Sequence, residues 1–264
     1  MRTSNPALSD AVFNIHDASA SASMTLQGTV IKTGILLSLL VIAAGFTWGQ
    51  TMTAINTAPT AEAVEGASQL AAAPPIVYKF MIGGAIGGLV LAMITIFKPA
   101  ISPYTSPLYA VAQGFFLGGV SALFENMYPG VVVPAIALTF GTLAAMLTAY
   151  ATRLVKATEN FKLGVVAATG GIAIFYLATM VMGFFGITIF SSFFQSGWIG
   201  IGFSLFVVVI AALNLVLDFD FIEKGCESGA PKYMEWYGAF GLLVTLVWLY
   251  LEILRLLVKL RGRD

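Results

Sequence analysis

Three acidic residues stand inside or at the edge of long apolar stretches: Asp218, Asp220 and Glu252. A carboxylate deep in an apolar medium costs several kcal/mol, and those that persist usually face a cavity or a partner. Asp218 and Asp220 belong to the run Asn214-Leu-Val-Leu-Asp-Phe-Asp-Phe-Ile-Glu-Lys224. Two residues apart on a helix means about 200° apart, so only one can point inward. Asp220 is the nearer to the following loop and lies three residues from Glu223, which reads as a solvated position. Asp218 shares a face with Asn214, four residues earlier, and that stripe reads as an inward, wet surface. The bland alternative for Asp218 is an ordinary charge at the membrane edge. A carboxylate on a wet inner surface offers a hard oxygen ligand for calcium or another cation. Its protonation would alter any gate it forms. Glu252 lies three residues before Arg255 on one helix face, which reads as a local ion pair. Direct contact between Asp218 and Glu252 is not expected. Their helices should run antiparallel through a short loop, which sets the two residues at different depths.

The elements that must position these residues follow from where charge is missing. The chain has 264 residues, 58% hydrophobic and only 10% charged, against about a quarter in a soluble domain. Mean hydropathy is +0.90. Thirteen basic and thirteen acidic residues cancel. A soluble fold cannot hide so much apolar surface. The balance also excludes a disordered chain and a nucleic-acid binder with a broad basic face. About 20 apolar residues span the hydrocarbon core, where helices are the default element. Such runs are Thr33–Gly49, Ile76–Phe97, Pro107–Phe124, Val131–Ala151 and Trp236–Leu260. The charge-free stretch Leu163–Leu217 is too long for one helix. Gly186 and the polar cluster Ser191, Ser192, Gln195, Ser196 and Gly197 divide it in two. The fold class is therefore all-α, a polytopic membrane bundle of about seven transmembrane helices. The strict alternation of a β-barrel is absent. Residues 1–29 read as a cytoplasmic N-terminal segment, 30–260 as the transmembrane domain and 261–264 as a basic tail. Gln50 to Pro75 reads as an extended surface loop.

Basic residues set the expected orientation. Arg2 and Lys32, then Lys98, then Arg153, Lys156 and Lys162, then Lys224 and Lys232 mark alternate connections. This places the N-terminus in the cytoplasm. Seven spans then carry the end of the chain outside, yet that end holds Arg255, Lys259, Arg261 and Arg263. Either the last helix does not fully cross, or the earlier loops fix the topology and the tail follows. Gly83–Gly87, Gly84–Gly88 and Gly114–Gly118 sit four apart, which lets helix backbones approach closely, within one bundle or across a dimer.

Several chemistries lack their residues. One Cys excludes an intrachain disulfide framework, and one His, His16, excludes motifs that need two. An intramembrane aspartyl protease needs aspartates on two facing helices, and only the sixth span supplies aspartate. No phosphate-binding Gly-Lys-Ser/Thr loop occurs. Neither an enzymatic reaction nor a cofactor is expected.

The ending Leu217-Asp-Phe-Asp-Phe-Ile-Glu-Lys224 resembles the aspartate signature of the Bax-inhibitor/YccA-like membrane proteins. The third span, Pro107 to Ser121, is similar to that family's Tyr-Ala…Glu-Gly…Gly…Ser helix. Leu249-Tyr-Leu-Glu-Ile-Leu-Arg-Leu-Leu257 resembles its terminal helix, and Asn5 to Phe13 the start of a bacterial branch. The resemblance implies six helices around a central seventh and a pH-sensitive calcium leak. It also implies two aspartates, on the sixth and seventh helices, that share a proton and gate the pore. Asp218 matches the first. At the second position stands Thr245 or an adjacent Leu, and the family's third-helix Glu is Gln113 here. Glu252, one helical repeat beyond Thr245, is the candidate substitute.

The expectation is a bacterial inner-membrane protein that passes or senses a cation, calcium first. Asp218 would be the transient ligand or gate at the cytoplasmic mouth, with Asn214, Thr245, Gln113 and Glu252 as the other pore candidates. The rival expectation is a non-conducting regulator that binds another membrane protein, such as a quality-control protease. Its partners would be the lipid bilayer and that protein, with no nucleic acid. The sequence sets no oligomeric state.

Overall fold

Apolar runs of membrane length become helices, and the polar residues at their ends lengthen them. The computed structural model describes residues 23–57, 75–186 and 197–262. Its helices are α1 (Leu26–Thr57), α2 (Pro75–Phe97), α3 (Ser102–Met127), α4 (Val132–Ala151), α5 (Glu159–Phe184), α6 (Gly197–Glu227) and α7 (Met234–Arg261), with a short 3-10 turn at Pro99–Ile101 before α3. All seven are long and apolar enough to cross a membrane.

α1 shows how polar residues are accommodated. The hydroxyls of Thr29, Thr33, Thr47 and Thr51 each donate to the carbonyl four residues back, at 2.7–3.2 Å. Satisfied within their own helix, they do not end it. Gln50 to Thr57 are therefore helical, which corrects the expected loop from Gln50; residues 58–74 lie outside the described residues. α5 opens on Thr158, whose side chain accepts from Phe161 N at 3.3 Å. Gly186 follows α5 at φ 75° and Gly197 opens α6 at φ 83°, both conformations that favour glycine. The residues between them, including most of the polar cluster, lie outside the described residues.

α7 is the centre of the bundle and the most deeply buried helix. It packs against α1, α3, α4 and α6, and reaches α5 through Glu252 and Tyr176. Leu242, Leu246, Leu249 and Ile253 of α7 form the core with Leu215 and Phe219 of α6, Leu117 of α3 and Ala135 of α4. The outer helices expose apolar side chains such as Ile82, Val133 and Ile174. This arrangement suits lipid, not water, as the surrounding medium.

The direction of α7 is fixed at both ends. At its start, Ser102 Oγ donates to Tyr233 O at 2.9 Å and Ser106 Oγ to Trp236 O at 3.4 Å. At its end, Arg261 donates to Pro129 O in the α3–α4 loop. Lys259 Nζ donates to Gly200 O at 3.1 Å and Ser204 Oγ at 2.8 Å, near the start of α6. α7 therefore runs the whole height of the bundle. Its basic end lies on the face opposite the start of α1.

Candidate functional site

Asp218 lies nine residues before the end of α6, about 13 Å along the axis. Its Oδ2 is buried and has no hydrogen-bond partner among the described residues. Thr245 of α7 is the polar side chain beside it. Gly241, one turn earlier, leaves backbone beside the carboxylate: a Cβ added there would sit 3.9 Å from Oδ1. The Thr245 hydroxyl also reaches Gly241 O at 3.3 Å. The seam between α6 and α7 thus holds one carboxylate, one hydroxyl and the side-chain-free backbone of Gly241. The described residues contain no group of three or more His, Cys, Asp or Glu able to hold a metal ion. Calcium binds tightly through six to eight oxygens, and the seam supplies one carboxylate, so it does not offer a tight calcium site.

The other pore candidates do not converge on Asp218. Asn214 Nδ2 donates to Thr169 Oγ1 of α5 and to Ile210 O, both at 2.8 Å, so the stripe it forms with Asp218 is split between two neighbours. Gln113 packs at the α2–α3 interface, in the space a side chain at Gly88 would need. Thr245 alone faces Asp218. Glu252 is seven residues beyond Thr245, about 10 Å along α7. It is 2% exposed and held by Arg255 Nη1, 3.1 Å from both carboxylate oxygens, and by the Tyr176 hydroxyl, which donates at 3.0 Å. Arg255 also donates to the Tyr176 oxygen at 2.6 Å and lies over its ring. Glu252 therefore belongs to a triad joining α7 to α5, not to the Asp218 site. Replacing it with Gln should cost about 1–3 kcal/mol, because one charge-assisted pair is lost. Thermal unfolding in detergent would read that loss.

The sequence missed the most buried carboxylate, Glu235, which is 0% exposed. Its Oε1 accepts from Thr25 N at 3.0 Å and Thr25 Oγ1 at 2.9 Å, and its Oε2 pairs with Lys32. Gly28 makes room for it: any side chain there would collide with the carboxyl group. Lys32 also lies 5.6 Å from the Trp236 ring centre. The available signal was Gly28 and Lys32 four apart on one face of α1. At the same end, Asp220 pairs with Lys162 and Lys224, each at 2.9 Å, and Tyr150 donates to Glu223. Asp220 is thus paired, where the sequence reading left it simply solvated.

A model of the family described as Bax inhibitor 1 like matches residues 5–262. The chain belongs to that family. No curated protein and no solved structure shows significant similarity to it. For a Bax-inhibitor-family protein, the placement of Thr245 against Asp218 is the informative result. The resemblance puts Thr245 or an adjacent Leu where a second aspartate would stand, and of these it is the Thr245 hydroxyl that lies beside Asp218.

Proposed function

We propose that this Bax-inhibitor-family protein passes a cation, calcium first, along the seam between α6 and α7, and that Asp218 is the gate. The observation that carries the reading is the buried, unpartnered Oδ2 of Asp218. A buried polar atom without a partner is costly, and a proton or a passing cation would supply the partner. One carboxylate and one hydroxyl bind weakly enough to release an ion, as conduction requires. With Thr245 opposite, one group titrates where a carboxylate pair would share a proton. The same reading places the protein in a bacterial inner membrane with the start of α1 in the cytoplasm. Lys32, Lys98, Arg153, Lys156, Lys224 and Lys232 support that orientation. It assigns the protein no enzymatic reaction.

The test is calcium flux into proteoliposomes across a pH series. Asp218→Asn should lower flux about tenfold, the equivalent of about 1.4 kcal/mol, and abolish its pH dependence. Glu252→Gln should leave both within twofold. Thr245→Asp should split the pH response into two steps, as coupled carboxylates do. Equal flux and equal pH response in wild type and Asp218→Asn would overturn the proposal.

The missing second carboxylate favours one rival, a non-conducting regulator that binds another membrane protein. Deleting residues 1–22 leaves Thr25 on Glu235. Loss of a co-purifying membrane protein on that deletion, with no flux in any variant, would favour the rival.

A further inference from the structure

α1 packs on α3 and α7, while α4 packs on α6 and α7. Between α1 and α4 this leaves a groove of about 350 Å³, floored by α3 and α7. Its walls include Val41, Gly45 and Trp48 of α1 and Val133, Ile136 and Phe140 of α4. The hydroxyls that line it are already bonded. Ser121 Oγ and the Tyr250 hydroxyl share a hydrogen bond of 2.6 Å, and Thr139 Oγ1 donates to Ala135 O at 2.8 Å. The groove therefore calls for an apolar occupant. From Val133 to Phe140 it extends about 10 Å along α4, within helices of membrane-spanning length.

The end of the groove nearest the start of α4 is cationic. Arg261 is exposed and donates to Pro129 O, three residues before the α4 wall begins at Val132. A Cβ at Gly130 would lie 3.5 Å from its Nη1. The acid of this loop, Glu125, is engaged through both oxygens, by Gly130 N at 2.5 Å and Val132 N at 3.1 Å. A guanidinium has five donors and suits bidentate phosphate contacts. Trp48, another groove residue, is of the type that settles at headgroup level. An apolar slot with a guanidinium at its outer end matches a molecule with a hydrocarbon tail and an anionic head.

We propose that the groove holds one acyl chain of an anionic phospholipid from the leaflet on the Arg261 side, with Arg261 on its phosphate. The probes are phosphatidylglycerol and phosphatidylcholine, each added to the full chain purified in mild detergent. Native mass spectrometry reads the lipid retained. Wild type should keep one phosphatidylglycerol in preference to phosphatidylcholine. Gly45→Trp, where an added Cβ meets nothing within 4 Å, should fill the slot and lower retention about tenfold. Ile136→Trp on the opposite wall should do the same, so misfolding of one variant leaves the other as the test. Arg261→Gln should keep a lipid but lose the headgroup preference. Unchanged retention in a folded Trp variant would overturn the proposal. So would an unchanged preference in Arg261→Gln, or a dimer lost in the Trp variants, which would put a second copy in the groove.

Discussion

Lys32→Met is expected to destabilise the bundle by about 3 kcal/mol, because it strands a buried carboxylate. Glu235 is fully buried, and Lys32 is its one cationic partner in the salt bridges of the described residues. Thr25 supplies two neutral donors, which cannot balance the charge. The double variant Lys32→Met with Glu235→Gln should recover much of the loss. A glutamine carbonyl oxygen keeps both Thr25 donors and carries no charge. Unfolding in a denaturing-detergent titration, run on wild type, both single variants and the double, measures the coupling. Additive effects would show that the pair is not an energetic unit.

Gly118→Val is the second large effect, at about 3 kcal/mol, the upper end for overpacking. A side chain at Gly118 would meet the backbone of Ala44 in α1, and Gly114, one turn away, faces Leu40 O and the Ala43 side chain. Backbone cannot rotate aside as a side chain can, so α1 would have to leave α3. Gly83 is the internal control. Nothing lies within 4 Å of a Cβ added there, and Gly83→Val should change stability by less than about 1 kcal/mol. The same titration distinguishes a local packing defect from a general intolerance of bulk in glycine-rich helices.

The contrast between these two glycines shows what the sequence could carry. Helix number and approximate bounds were legible, since hydrocarbon imposes length and uncharged composition on each span. Gly83 and Gly84 have equivalent spacing to Gly87 and Gly88, yet Gly84 and Gly88 face α3 while Gly83 and Gly87 face outward. Nothing in the spacing separates the two pairs, because helix rotation is set by the neighbours. Asp218 was legible because a carboxylate in an apolar run is costly wherever it points. Glu235 was not, because it sits beside a loop where charges are common, and its partners are more than 200 residues away in the chain. Glu252 was legible as the mate of Arg255, three residues on, but Tyr176 on α5 was beyond the reach of local pattern.

The central position of α7 also has a consequence for how the protein is made. Of the seven helices it is the last in chain order, so the six around it enter the membrane before their shared core exists. Ser102 and Ser106 wait for carbonyls of Tyr233 and Trp236, Ser121 for Tyr250, Tyr176 for Glu252, and Lys32 for Glu235. Until α7 emerges from the ribosome, these groups lack the partners they have in the folded bundle. Assembly is therefore a closing event, in which one late helix joins the group α1–α3 to the group α4–α6. A ribosome stalled before residue 234 would leave six inserted helices without the partner that joins them.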